Sequence, residues 1–140
     1  MKLISHRGNT EGPNKQRENS PRYICEAIDK GYDVEIDVWV DKQLWLGHDN
    51  PQYPCSLTFL MTNKDKLWIH CKNDKALFTL INFAKLNIFF HDQDERTLTS
   101  KGYIWTYPNQ SVCEKSVLVI QDSRKYNNKK CHGLCSDYLI

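Results

Sequence analysis

The chain is patterned as short apolar runs separated by polar loops. The runs lie at 2–5, 33–40, 44–47, 67–70, 88–91, 103–106, 117–120 and 133–136. Runs of this length, rich in aliphatic and aromatic residues, are typical of buried strands. The sequence therefore predicts a sheet of eight short strands, in which the run at 44–47 is the return arm of a hairpin after the second strand.

Two segments carry helix signals instead. Ser20 followed by Pro21 predicts an N-cap and a first helical residue, and Gly31 is placed to end that helix. Segment 74–86 has apolar residues at helical spacing. Strands alternating with helices predict an α/β domain with mainly parallel strands, in which the later connections are too short for full helices.

The apolar run at 33–40 contains two acids, Glu35 and Asp37. Side chains alternate along a strand, so both carboxylates point to one face and repel each other unless a cation lies between them. A divalent cation bound through oxygen is the simplest solution. The alternative is an edge strand whose acids face solvent, which is disfavoured because parallel strands are normally covered on both faces.

Length and charge limit the class of protein. Residues 1–140 suit a single domain, and the net charge of +2 does not indicate nucleic-acid binding. We interpret the basic segment 124–130 as a solvated loop. With no secretory signal and no apolar stretch of about 20 residues, we expect a cytoplasmic protein with no membrane span and reduced cysteines. A zinc site at 131–135 is disfavoured because no second close cysteine pair exists.

Polar residues close the apolar runs repeatedly. They are His6, His70, His91, Gln121 and Asp137. In parallel α/β folds, functional sites assemble at the carboxyl ends of the strands. The pattern therefore predicts a site at that edge of the sheet, and the hairpin would bring a further histidine, His48, towards it.

The residue types at this edge suit phosphoryl chemistry. Such chemistry needs a general base, a general acid and positive charge for the phosphate oxygens. His6 and His48 can exchange protons near neutral pH, and Arg7 with a cation can supply the charge.

Four elements resemble the N-terminal signature of the glycerophosphodiester phosphodiesterase family. They are His6-Arg7-Gly8, Glu18-Asn19, the run Gly31-Tyr32-Asp33-Val34-Glu35-Ile36-Asp37-Val38, and His48-Asp49. The C-terminal segment 133–138 is similar to the closing strand of the family. The resemblance implies a (β/α)₈ barrel with its site at the carboxyl ends of the strands.

The resemblance also implies roles for individual residues. His6 and His48 would be the acid–base pair, Glu35 and Asp37 metal ligands, and Arg7 a phosphate contact. In the family, a substrate hydroxyl attacks the neighbouring phosphodiester to give a cyclic phosphate that water opens.

The E-N element of the signature has two interpretations. Glu18 and Asn19 match it and would support the loop that carries His6 and Arg7. A purely structural role for both residues is the alternative.

The chain departs from the family at the next strand. Where the family has an E-x-K pattern with a third metal ligand, this sequence has His70 and Lys72. We expect His70 to replace the carboxylate and Lys72 to contact phosphate. An imidazole would weaken Mg²⁺ or Ca²⁺ and relatively favour softer ions such as Mn²⁺ or Zn²⁺. The expected cofactor is one divalent cation: Mg²⁺, Ca²⁺ or Mn²⁺. A strand-end His70 bonded only to a neighbour is the alternative.

The chain is also much shorter than a barrel of about 250 residues. We therefore expect a reduced TIM-type (β/α) barrel with short or missing later helices. It would have an open seam, or a side covered by another subunit in a homo-oligomer. Trp105, with His91, Asp92 and Tyr107, is expected to line a shallow substrate pocket, although aromatic residues at strand ends often serve only packing.

The sequence thus predicts a metal-dependent phosphodiesterase, a phosphoric diester hydrolase. Its substrate would be a small glycerophosphodiester or a related polyol phosphodiester. Two alternatives stay open. One is a phospholipase C-like lyase that releases the cyclic phosphate. The other is a degenerate, non-catalytic barrel that binds phosphorylated ligands or a protein partner.

Overall fold

A computed structural model describes residues 1–127 and 130–140 of the chain. Within these residues ten strands and three short helices form. The strands are β1 (Lys2–His6), β2 (Asp33–Val40), β3 (Leu44–Leu46), β4 (Tyr53–Cys55), β5 (Leu67–Cys71), β6 (Ile88–Phe89), β7 (Arg96–Leu98), β8 (Ile104–Thr106), β9 (Ser116–Val119) and β10 (Gly133–Ser136). The helices are α1 (Pro21–Asp29), α2 (Leu57–Thr62) and α3 (Asp74–Leu80).

The strands form one mainly parallel sheet. Following the pairings across it, the order is β6-β5-β2-β1-β10-β9-β8-β7, and only β7 at the edge runs antiparallel to its neighbour. The hairpin arm β3 pairs antiparallel with the carboxyl-terminal end of β2, and β4 pairs antiparallel with β3. The α/β class, the mainly parallel strands, the scarce later helices and the hairpin are as the sequence predicts.

The sheet is curved but open. Trp68 on β5 and Trp105 on β8 lie at opposite sides of the strand order, yet their rings are 6.0 Å apart. Between β6 and β7 the described residues form no strand ladder. Single hydrogen bonds connect this region, from Ser100 N to the Ile88 carbonyl (2.7 Å) and from the Thr97 hydroxyl to the Phe90 carbonyl (3.1 Å). A closed barrel is therefore not present.

Helices cover one face of the sheet at β2, β5 and β6, and the other face is concave. On β2, Val34, Ile36 and Val38 are fully buried in the core that includes the helical residues Ile24 and Leu60. A smaller cluster fills the concave side, formed by Ile4, Trp68, Phe89, Trp105, Val117 and Cys135. Strand alternation then places the intervening acids of β2 on the concave side, as the sequence predicts.

Local signals explain where the helices begin and end. The Ser20 hydroxyl accepts a hydrogen bond from Tyr23 N at 3.3 Å, which confirms the predicted cap of α1. Helix α3 ends at Leu80, earlier than the predicted residue 86. There the Asn82 side chain donates to the Phe78 carbonyl at 2.9 Å and competes with continued helical bonding.

Three short elements were not predicted. Strand β4 contains Pro54, which removes a backbone donor and is tolerated because β4 pairs on one side only. Helix α2 is capped by the Ser56 hydroxyl, which accepts from Phe59 N at 3.0 Å. Strand β7 lies in a segment interpreted as a polar loop. Of the basic segment 124–130, residues 128–129 lie outside the described residues.

Two global features complete the description. No helix in the described part of the chain is both long and apolar enough to cross a membrane. All six cysteines are free thiols.

Candidate active site

A cavity of about 670 Å³ opens at the carboxyl ends of the parallel strands. Its lining residues come from strands β1, β2, β5, β8 and β9 and from the segments that follow β1, β3, β5, β6 and β8. They are His6, Arg7, Glu35, His48, His70, Lys72, His91, Asp92, Gln93, Trp105, Tyr107 and Val119. The structure therefore brings most of the residues predicted for the site to one cavity.

Asp37 lies beneath this cavity and is fully buried. Asn19 makes two hydrogen bonds to Asp37 through its side chain. Its Nδ2 donates to Oδ2 at 2.9 Å, and its Oδ1 accepts from the Asp37 backbone N–H at 2.9 Å. Arg7 Nε lies 3.0 Å from Oδ2, and His70 Nδ1 lies 3.2 Å from Oδ1. Burial acts to raise the pKa of Asp37, but the contacts with His70 and Arg7 outweigh it and lower the pKa.

Glu35 is equally buried but less well compensated. Its nearest ion-pair partners are two histidine nitrogens, His6 Nε2 at 3.9 Å and His70 Nδ1 at 4.0 Å. Among the described residues, neither Glu35 Oε2 nor Asp37 Oδ1 has a hydrogen-bond partner. Burial, followed by the charge of Asp37, raises the pKa of Glu35 to about 7. Positive charge bound beside this carboxyl would offset the cost of its burial and keep it ionised.

The donor set fits a divalent cation. Glu35, Asp37 and His70 each offer a ligand atom, and these atoms lie within 4.8 Å of one another. Ligands on opposite sides of an ion are about 4.2 Å apart for Mg²⁺ and about 5 Å apart for Ca²⁺. The three side chains thus span a gap that one ion can fill. A bound cation would also give a partner to the two carboxylate oxygens that have none among the described residues.

His6 is held by a carboxylate that follows the last strand. Its Nδ1 donates to Asp137 Oδ1 over 2.7 Å, and the Asn9 amide donates to the same oxygen over 2.8 Å. Burial lowers the pKa of His6, but the bond to Asp137 and the charge of Glu35 outweigh it and raise the pKa. The sequence marked Asp137 as a polar strand end but gave it no role at the site. Asn9 carried no signal at all.

The loop after β1 is tightly constrained. Arg7 has φ +58° and Asn19 φ +65°, both in the left-handed region that non-glycine residues seldom adopt. Gly8 has φ +99°, and a Cβ there would approach Tyr23 to 2.5 Å. Glu18 accepts from the Asn9 amide at 2.9 Å and from Arg7 Nη1 at 3.4 Å. Glu18 and Asn19 therefore both fix this loop, and Asn19 also binds Asp37.

Three further predicted residues reach the cavity in different ways. His48 Nδ1 lies 2.8 Å from Asp49 Oδ1, and burial together with Arg7 lowers the pKa of His48. Lys72 has no side-chain hydrogen bond or ion pair within the described ranges, and it faces the cavity. Trp105 is only 4% exposed and stacks on Phe89 at 4.7 Å, so most of its ring serves the core and only an edge lines the wall.

Comparison of the chain with protein-family models, with curated proteins and with solved structures gives no match.

Proposed function

We propose that the protein is a metal-dependent phosphodiesterase that cleaves a small phosphodiester bearing a neighbouring hydroxyl, such as a glycerophosphodiester. One observation carries the proposal. Two histidines with carboxylate partners, an arginine, a free lysine and a buried acid–imidazole cluster all border a single cavity. The motif resemblance to the glycerophosphodiester phosphodiesterase family supports the same chemistry.

Glu35, Asp37 and His70 would hold the cation, which when bound would supply positive charge to the phosphate oxygens. Arg7 and Lys72 add charge from the chain itself. Arg7 already contacts Asp37 and Glu18, so it contributes from a fixed position. Lys72 is unengaged and can move to a phosphate oxygen.

The two histidines supply the proton transfers. In each, Nδ1 is held by a carboxylate, Asp137 for His6 and Asp49 for His48, which leaves Nε2 to exchange protons. One histidine takes the proton of the substrate hydroxyl while its oxygen bonds to phosphorus. The other gives a proton to the leaving alcohol oxygen as its bond to phosphorus breaks. Exchanged roles would let water open the resulting cyclic phosphate.

We also propose that the sheet is a reduced (β/α) barrel with an open seam between β6 and β7. The order of its parallel strands around β1 is the order in which a barrel would place them. The contact between Trp68 and Trp105 across the concave side supports the same curvature.

The test is turnover of glycerophosphocholine with Mg²⁺, Mn²⁺, Ca²⁺ or EDTA. Bis(p-nitrophenyl) phosphate, which has no neighbouring hydroxyl, is assayed beside it to measure direct attack by water. We expect cation-dependent hydrolysis that EDTA abolishes. His6→Ala and His48→Ala should each lose about 100-fold or more, the usual contribution of a positioned acid or base. His132→Ala, a histidine away from the cavity, is the matched control and should retain activity.

Three results would count against the proposal. Folded protein that turns over neither substrate with any cation would remove the enzymatic function. Activity unchanged in both histidine variants would place the chemistry elsewhere. Accumulation of cyclic phosphate as the final product would identify a lyase rather than a hydrolase.

A further inference from the structure

His70 stands in a stack of three parallel rings. Its imidazole is 4.5 Å from that of His91, with 1° between the planes, and 5.1 Å from the Phe89 ring, with 5° between the planes. His91 and Phe89 are themselves nearly parallel at 5.9 Å. The orientation of the His70 ring about its last side-chain bond is therefore set by its neighbours rather than left free.

The backbone carbonyl of His91 faces the other nitrogen of the His70 ring. His70 Nε2 lies 3.4 Å from the His91 carbonyl oxygen. A carbonyl only accepts, so when Nδ1 ligates a cation the ring proton would lie on Nε2 and face this oxygen. Nδ1 itself faces the acids, 3.2 Å from Asp37 Oδ1 and 4.0 Å from Glu35 Oε1. Metal-binding histidines commonly bond a carbonyl through their other nitrogen in this way.

His91 is in turn held from its far side. It is 7% exposed, and the Tyr107 ring meets it edge-on at 5.2 Å, with the hydroxyl 3.4 Å from the imidazole nitrogens. None of these contacts belongs to the acid–base pair. Together these contacts hold the His70 ring in place, so that its Nδ1 stays directed at Glu35 and Asp37.

We propose that His91 is a positioning residue that presents His70 Nδ1 as a metal ligand and thereby sets the cation preference of the site. The inference rests on the metal site of the proposed function and adds a determinant of its selectivity. Imidazole favours Mn²⁺ over Mg²⁺ more strongly than a carboxylate does. An imidazole held in place by its neighbours makes that preference a built property of the site.

The test is direct cation binding. Mn²⁺ is titrated by electron paramagnetic resonance, and Mg²⁺ is measured by competition with Mn²⁺. His91→Ala removes the stack and should weaken Mn²⁺ binding by about 10- to 100-fold, the usual effect of losing such support. Mg²⁺ affinity, set mainly by the two carboxylates, should change by less than about threefold. His91→Phe keeps a flat ring and the carbonyl, and should restore Mn²⁺ affinity.

Two variants provide controls. His132→Ala removes an imidazole that packs against Tyr103 at 4.3 Å, away from the cavity, and should leave both affinities unchanged. His70→Glu should raise Mg²⁺ relative to Mn²⁺, and in that background His91→Ala should no longer alter the ratio. Circular dichroism checks that each variant is folded.

The outcomes separate this inference from the proposed function. Equal loss of both cations in His91→Ala, or no rescue by His91→Phe, would show a merely structural role and overturn it. Wild-type protein that binds Mn²⁺ and hydrolyses phosphodiesters, with selectivity unchanged in His91→Ala, would overturn this inference alone. Wild-type protein that binds neither cation would overturn it together with the metal site.

Discussion

Strand β2 carries three acids on its concave face, and the acids at its two ends differ in how fully their oxygens are hydrogen-bonded. Asp33, at the amino-terminal end, is 4% exposed and accepts two hydrogen bonds, from Lys2 Nζ at 2.9 Å and Trp68 Nε1 at 3.0 Å. It also forms an ion pair with Lys66 Nζ at 3.6 Å. Glu35 and Asp37, nearer the cavity, each keep a buried oxygen without a hydrogen-bond partner in the described residues.

We infer from this difference that Asp33 is a structural acid and that Glu35 and Asp37 serve the proposed metal site. A buried carboxylate is costly unless charge or hydrogen bonds compensate it. The chain compensates Asp33 with its own lysines and indole, so that site is complete. At the other end Arg7, His6 and His70 are shared between two acids, and Glu35 Oε2 is left without a hydrogen-bond partner in the described residues. Residue type and burial alone would not distinguish the two ends, but their partners do.

The sharpest test of this contrast is to neutralise one acid at a time. Asp37→Asn keeps the shape and an acceptor for Asn19 but loses a charged ligand. We expect the phosphodiesterase rate to fall by about 10³-fold, since a bound cation contributes several kcal/mol to such reactions. Asp33→Asn should retain activity within about threefold. Equal losses in the two variants would erase the distinction between the ends.

The second prediction concerns Asp137, which follows β10 on the other side of β1 and holds His6 at the cavity. Asp137→Asn should lower kcat by about 100-fold, because His6 loses the carboxylate that fixes its Nδ1 proton and its orientation. Nitrogen-15 NMR of the imidazole should show that the single tautomer is lost. An unchanged tautomer with full activity would exclude this role.

The third prediction uses stability rather than rate. At 100 times its Kd, a cation that binds only the folded protein stabilises it by about 2.7 kcal/mol. For a domain of this size that corresponds to a rise in Tm of roughly 10 °C. Thermal denaturation with Mn²⁺ and with EDTA measures the shift. It should persist in Asp33→Asn and vanish in Asp37→Asn. A shift that survives in both variants would place the cation elsewhere.

The cavity end of β2 and the histidines around it were largely predictable because these residues form a local pattern. Glu35 and Asp37 alternate on one strand, His6 closes β1, and the hairpin that leads to His48 follows β2 directly. The supports were not predictable in the same way. Asp137 meets His6 across 131 positions of sequence, and the stack of His70 on His91 depends on the register of β5 and β6.

Three short elements of the fold were not predictable for a related reason. Short elements such as β4, α2 and β7 carry too few residues for a periodic signal, and pairing decides whether they form. The ion-pair partners of Asp33 were not predictable from the sequence either. Its pairing with Lys2 and Lys66 brings together residues from three strand beginnings, which no local motif reports.

The smallest effect is expected at the structural end, and it is the finest test of the contrast. Asp33→Asn removes the charge that faces Lys2 and Lys66, but the Asn side chain can still accept from the Trp68 indole. Both lysines are nearly half exposed, so water readily replaces the lost partner and the penalty is screened. We expect a loss of about 1 kcal/mol in urea unfolding, reduced further at high salt. A loss several times larger that is insensitive to salt would mean that Asp33 and the two lysines act as a buried ion pair, which would contradict the screening expected from their exposure.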